Sequence, residues 1–205
     1  MKVILIRHAQ TEWNMRGIVQ GQGDSELTHR GELQTSALLA AFSASDYRVD
    51  SVYTSPLGRT HRMGTILAKH FCCSLVTDPA LKEQALGEFE GMSVAWLMQH
   101  HPDTANRLFN SDAEYCPANG ESLVQACHRF IHFLYNLEQV APHKTICIVS
   151  HGQVIQGVIA LLKEGTINHF SKYAHSNASY SIFDLNHKEC KALKWGIATH
   201  LRHIP

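Results

Sequence analysis

The sequence predicts an α/β fold: a three-layer α/β/α sandwich around a mostly parallel central sheet, with a small cap segment. Three observations predict it. Short runs rich in β-branched residues alternate with longer stretches of helical periodicity along the 205 residues. Two of those runs, residues 3–6 (VILI) and 146–149 (ICIV), are almost continuously apolar, as expected of strands covered on both faces. Each then gives way to a histidine, His8 behind Arg7 and His151 behind Ser150.

In chain order the first strand is KVILI (2–6). From Thr28 to Phe42, Leu33, Ala37, Leu38 and Ala41 recur at helical spacing. DSVYT (50–54) is the second strand, and Met63, Ile66, Leu67 and Phe71 mark a helix from Pro56 to Phe71. Ser55 is its expected N-cap, with Pro56 where no backbone donor is needed. SLVT (74–77) follows as a strand. Residues 92–120 fit the alternation poorly and are expected to form a cap over one edge of the core. Residues 122–139 place Leu123, Ala126, Cys127, Phe130, Ile131, Leu134 and Leu137 on one helical face. TICIVS (145–150) is a strand, a helix follows Gly152, and YSIFDL (180–185) pairs with CKALKW (190–195) around Asn186-His187. No repeat or linker divides the chain, so residues 1–205 read as one domain with a specificity segment near 92–120.

Lysine plus arginine number 18, as do aspartate plus glutamate, so the formal charge is zero and no basic surface points to nucleic acid or anionic lipid. Any anion site must be local. Of the six cysteines, none falls at metal-ligand spacing, and Cys127, Cys147 and Cys190 sit in predicted helix or strand. Reduced, buried thiols are expected. Only VILI separates Lys2 from Arg7, too short for a signal peptide, and no apolar stretch approaches membrane-spanning length. The expectation is a soluble cytoplasmic protein, monomer or homodimer, with no nucleic-acid or membrane partner.

In open parallel sheets ligands bind outside the carboxyl ends of the strands. If the ends of strands 2–6, 50–54 and 145–150 are neighbours, Arg7, His8, Arg59 and His151 meet in one pocket. Two arginines and two histidines suit a compact dianion, most simply a phosphoryl group. The helix N-terminus after Ser55 is expected to add backbone donors. Glu83, Glu88 and Glu90 are three candidates for proton transfer, and the residues alone do not choose among them.

The motifs LIRHAQTEWN, QGQGDSELTHRGELQ, TSPLGRTHRM, LKEQALGEFEG, NGES and VSHG, in that order, resemble the histidine phosphatase (phosphoglycerate mutase-like) superfamily. The likeness continues more weakly through HSNASYSIFDL to THL, so it covers essentially the whole chain. The resemblance implies that His8 is the nucleophile and becomes phosphohistidine. It implies that Arg7, Arg59 and His151 hold the phosphoryl oxygens, with Asn14, Gln20 and Gly152 completing the phosphate site. It assigns the general acid and base to Glu83, leaving loop hydrogen bonds to Glu88 and Glu90. Glu83 must then start protonated, which predicts a mildly acidic to neutral optimum. No metal or cofactor is implied. Two departures are small: Ala9 stands where the family commonly has glycine, Gln10 where glutamate is frequent. Glu26 replaces a frequent proline.

The implied activity is that of a metal-independent phosphomonoesterase acting on a small phosphorylated metabolite. A cofactor-dependent phosphoglycerate mutase is the alternative, and a non-catalytic phospho-ligand binder a further one. Mutases of the family it resembles usually carry a longer stretch with extra basic residues after the acid motif; here LKEQALGEFEGMSVAW is short and adds no arginine, so the resemblance favours hydrolysis. His128 and His132, one turn apart, are read as a solvated helix face with Arg129 rather than as metal ligands. Among Trp96, Leu97, Leu108, Phe109 and Tyr115 of the cap, some are expected to line the substrate pocket.

Overall fold

The computed structural model describes residues 1–204. In chain order it contains β1 (Lys2–Arg7), α1 (Glu12–Met15), α2 (His29–Ser43), β2 (Ser51–Thr54), α3 (Gly58–Phe71), β3 (Ser74–Thr77), α4 (Val94–His100), α5 (Pro102–Asn106), α6 (Leu123–Val140), β4 (Thr145–Ser150), α7 (Gly152–Glu164), β5 (Tyr180–Asn186) and β6 (Glu189–Ile197). The strands form one sheet in the order β3-β2-β4-β1-β5-β6. The first four are parallel, and the hairpin β5–β6 is added antiparallel beside β1. The fold is the expected mixed α/β sandwich.

The apolar runs are explained by two cores. Side chains alternate across a strand, so Val3 and Leu5 of β1 join Ile146 and Ile148 of β4 beneath α6 and α7. Ile4 and Ile6 join Cys147 and Val149 on the opposite face, beneath Leu38 and Phe42 of α2 and Met63 and Leu67 of α3. Each strand feeds both layers, which is why neither can afford a polar position until its carboxyl end. A third apolar cluster, with Leu97, Ala105 and Leu108 from α4 to the π turn at Arg107–Ser111, packs on Val19, Leu86 and Phe89. This is the segment expected as the cap.

α6 starts on a capping box in which Ser122 and Gln125 bond reciprocally. α3 departs from expectation: it begins at Gly58, not Pro56, and Ser55 does not cap it. The Ser55 hydroxyl accepts locally from Leu57 N at 3.3 Å and from His151, while the carboxylate of Asp24 takes the free N–H groups of Gly58 and Arg59 at the start of the helix proper. The expected backbone donors for a ligand are therefore already occupied. The closing turn also lies one residue later than read, at His187-Lys188, both in the left-handed region with φ of 48° and 64°.

All six cysteines are free, with Cys127 and Cys147 buried and their thiol pKa values pushed up by burial. Among the described residues no helix is long and apolar enough to cross a membrane.

Candidate active site

β2, β4 and β1 are neighbours, so the three strand ends meet: Arg7 lies beside Ser150, and Thr54 beside Val149. Arg7 and His8 leave β1, Ser150 and His151 leave β4, and Ser55 leaves β2. A cavity of ≈ 260 Å3 opens over them, lined at its inner end by Arg7, His8, Asn14, Gln20, Arg59, Glu83 and Gly152.

His8 is buried, and its Nδ1 lies 2.7 Å from the carbonyl oxygen of Ala9. A carbonyl only accepts, so Nδ1 carries the proton and Nε2 the lone pair. Burial, reinforced by Arg59 and Arg7, holds the His8 pKa well below the ordinary imidazole value. The ring is neutral across the neutral range.

His151 is fully buried with its ring edge-on to His8, centroids 5.3 Å apart. Its Nδ1 accepts from Arg59 Nε at 3.2 Å, so Nε2 donates to Ser55 Oγ at 2.9 Å. Both ring nitrogens are thus committed to the protein. Unlike the other site residues inferred from sequence, His151 reaches the cavity only by orienting Arg59. Burial and then Arg59 depress its pKa strongly as well.

Arg59 is buried and almost fully satisfied. Nη1 donates to Gly23 O (2.6 Å) and Asp24 Oδ1 (3.2 Å), and Nη2 to Gly21 O (2.7 Å). With Nε on His151, one of the five guanidinium N–H bonds, on Nη2, is left for a ligand. Gly21 has a φ of +52°, and a Cβ there would sit 2.2 Å from Glu90 Oε1, so its missing side chain admits the Glu90 carboxylate that holds this loop. Arg7 donates from Nη1 to the carbonyl of His175, while its buried Nε has no partner among the described residues. Its guanidinium lies against Gly152, where a Cβ would come within 3.0 Å of Cζ.

Asn14 belongs to the capping box of α1, and its Oδ1 accepts from Thr11 N (3.2 Å) and Asn177 Nδ2 (3.1 Å). Its own amide donors have no partner among the described residues. Gln20 Nε2 donates to Thr11 Oγ1 at 2.7 Å.

The structure separates the three glutamates. Glu83 reaches the N-terminus of α7: Oε1 accepts from Gln84 N (3.0 Å) and Val154 N (2.8 Å), Oε2 from Gln153 N (2.9 Å). It lines the cavity with one Oε2 lone pair unengaged. Glu90 carries loop bonds, accepting from Gln22 N and Leu86 N at 2.9 Å each and Gly23 N at 3.1 Å. Glu88 is exposed and its carboxylate takes no part in that loop network, contrary to expectation: the adjoining turn is held by backbone contact of Glu88 N with Ala118 O.

Two supporting residues were not read from the sequence. Arg129, taken for part of a solvated face, spends all five N–H bonds inward. It donates to the carbonyls of Ala80, Lys82 and Glu83 at 2.7–2.8 Å and grips Glu121 through Nε and Nη2. It thereby fixes the strap that carries Glu83. Asn177 donates to the His8 carbonyl (3.0 Å) and to Asn14. It lies in HSNASYSIFDL, a segment the family resemblance covered without assigning a role. His128 is exposed, and His132 borders a surface groove.

Of the five cap residues considered, Phe109 lines the cavity. Leu97 and Leu108 are buried in the cap cluster. Trp96 stacks on His100, and with Tyr115 it borders a separate cleft.

These buried neutral histidines make stability depend on pH. His175, whose Nδ1 bonds the Tyr173 carbonyl, is a third, with its pKa lowered by burial to about 4. Each stays unprotonated in the folded protein while the unfolded chain takes up a proton below about pH 6.5. Stability is therefore full above that pH and falls as pH drops toward the folded values. The cost is about 1.4 kcal/mol per pH unit for each imidazole. Urea unfolding at pH 7.5 and 5.5 is expected to show a loss of roughly 4 kcal/mol from the three; equal midpoints would contradict their burial in neutral form.

Fold and site together define an α/β protein that gathers two guanidinium groups, a neutral imidazole and a carboxyl group at the carboxyl ends of a parallel sheet. The chain belongs to the histidine phosphatase superfamily (branch 1), whose pattern it matches over residues 3–198. It is 30% identical to phosphoserine phosphatase 1 of Hydrogenobacter thermophilus over 201 residues, covering 98% of this chain and 94% of that one. It is 27% identical to the probable phosphoglycerate mutase GpmB of Escherichia fergusonii, covering 97% and 92%. Among solved structures, Bacillus stearothermophilus YhfR superposes with a TM-score of 0.88 at 25% identity, over 98% of both chains. The family and its relatives place the chain among enzymes of phosphate esters.

Proposed function

We propose that the protein is a metal-independent phosphomonoesterase that hydrolyses small phosphorylated metabolites through a phosphohistidine on His8. The observation that carries this reading is the His8 tautomer, with Nδ1–H held by Ala9 and the Nε2 lone pair on a cavity that also presents free donors from Arg7 and Arg59.

The Nε2 lone pair attacks phosphorus as the ester P–O bond breaks, and the departing alkoxide takes a proton from Glu83. Glu83, now a carboxylate, removes a proton from water, whose oxygen attacks phosphorus and returns the electron pair to Nε2. Inorganic phosphate leaves with histidine and carboxyl group restored. The guanidinium donors, with Asn14 and Gln20, stabilise charge on the phosphoryl oxygens. Arg129 and Asn177 act at one remove, by fixing Glu83 and His8. The six free thiols support a cytoplasmic setting.

Rapid quenching of wild-type enzyme with a phosphate ester in EDTA is expected to trap one acid-labile, base-stable phosphoryl group on His8, together with continuing phosphate release. Label at another residue, or dependence on a divalent ion, would overturn the reading. Label without release, plus mutase activity once 2,3-bisphosphoglycerate is added, identifies the isomerase instead.

A further inference from the structure

Beyond its inner end the same cavity carries no charge suited to an acidic substrate. Its outer wall is made of Ile18, Leu86, Val94 and Phe109, with the amides of Gln153 and Gln156. Arg7 and Arg59 are the only cations that line it among the described residues, and both sit beside His8, where a phosphoryl dianion would match their two charges. Lys82, beside Glu83 in the chain, bonds Gln22 and does not line the cavity.

We propose that the substrate is a phosphate monoester of a small uncharged alcohol with an apolar face, and that the site discriminates against esters bearing a carboxylate. The proposal rests on the hydrolase reading and goes against the substrates that the names of the two curated relatives suggest, both of which carry a carboxylate.

The physical reason is desolvation. A carboxylate brought against Leu86, Val94 and Phe109 would leave water without gaining a cation, and an unpaired charge in such a setting is strongly disfavoured. Glu83 in the same cavity adds repulsion whenever it is ionised. An apolar alcohol loses nothing of this kind and gains burial against the aromatic ring. Polar handles are few: Gln153 Nε2 gives one N–H to the Leu108 carbonyl at 2.6 Å and keeps the other, and the Gln156 amide makes no bond among the described residues, so either can meet a hydroxyl. The volume, ≈ 260 Å3, lies at the small end for ligand pockets and limits the alcohol to a modest size.

The test uses matched pairs that differ in the carboxylate alone or nearly so: glycerol 3-phosphate against 3-phosphoglycerate, and phosphoethanolamine against phosphoserine, with benzyl phosphate as the apolar member. In wild-type enzyme kcat/KM is expected to be at least about tenfold higher for the uncharged member of the first pair, and highest for benzyl phosphate. Gln156→Lys puts a cation on the outer wall and is expected to shrink the first ratio about tenfold. A carboxylated ester equal to or better than its partner in wild type overturns this inference and leaves the hydrolase reading standing. His8-dependent release from none of the five overturns both.

Discussion

His8→Ala is expected to lower kcat by on the order of 10^4–10^6, the loss seen when an enzyme's nucleophile is removed while its binding site remains. The pocket that holds the phosphoryl group does not depend on the imidazole. Arg59 is fixed by Gly21, Gly23, Asp24 and His151, and Arg7 by the His175 carbonyl and the face of Gly152. Inorganic phosphate should therefore still bind the variant, and the loss should appear in kcat while substrate affinity survives. Residual catalysis would come from the charged pocket acting on water. The same variant carries a second signature. Removing one buried neutral imidazole removes its share of the acid-linked destabilisation, so the slope of stability against pH below 6.5 should shrink by about 1.4 kcal/mol per unit. Retention of kcat within tenfold would exclude His8 as the nucleophile, and an unchanged slope would show that its proton uptake on unfolding is not what the burial implies.

The parts of this fold that were legible in the sequence are those in which local pattern and tertiary environment agree. β1 and β4 announce themselves because each face of the strand meets a different core, so no polar residue interrupts them before Arg7 and Ser150. The histidines that end them are informative for the same reason: a polar side chain at that position projects beyond the sheet, not into it. The start of α3 was misread because Ser55-Pro56 is a sound local cap signal. The local bond from Leu57 N to the serine hydroxyl does form, but the helix proper starts at Gly58, where the distant Asp24 takes its first N–H groups. Arg129 was misread because exposure was inferred from its neighbours on the helix face. A guanidinium can reach back past that face to carbonyls 46–49 residues earlier in the chain, and periodicity does not encode such a reach. The choice among Glu83, Glu88 and Glu90 had the same character. Three carboxylates within eight residues differ only in which way the strap turns them, and Arg129, Glu121 and the start of α7 set that turn.

Glu83→Gln is expected to cost about 10^2–10^4 in kcat for an alkyl phosphate, the usual worth of general acid–base catalysis. It is not a silent isostere in this protein. Both carboxylate oxygens accept backbone N–H groups, from Gln84 and Val154 on one side and Gln153 on the other. An amide must turn its NH2 toward one of these donors, at a stability cost of roughly 1–3 kcal/mol for the unsatisfied group. Structural damage and loss of proton transfer can still be told apart through the leaving group. A nitrophenolate is stable without a proton, so phosphorylation of His8 by nitrophenyl phosphate should be nearly spared in the variant. Hydrolysis of the phosphohistidine still needs a base to take a proton from water. The variant should then show a burst of one nitrophenolate per chain followed by slow turnover, with phosphoenzyme accumulating. With an alkyl phosphate the first step fails as well and no phosphoenzyme should build up. Damage confined to folding or to the position of α7 would slow both esters alike, without a burst.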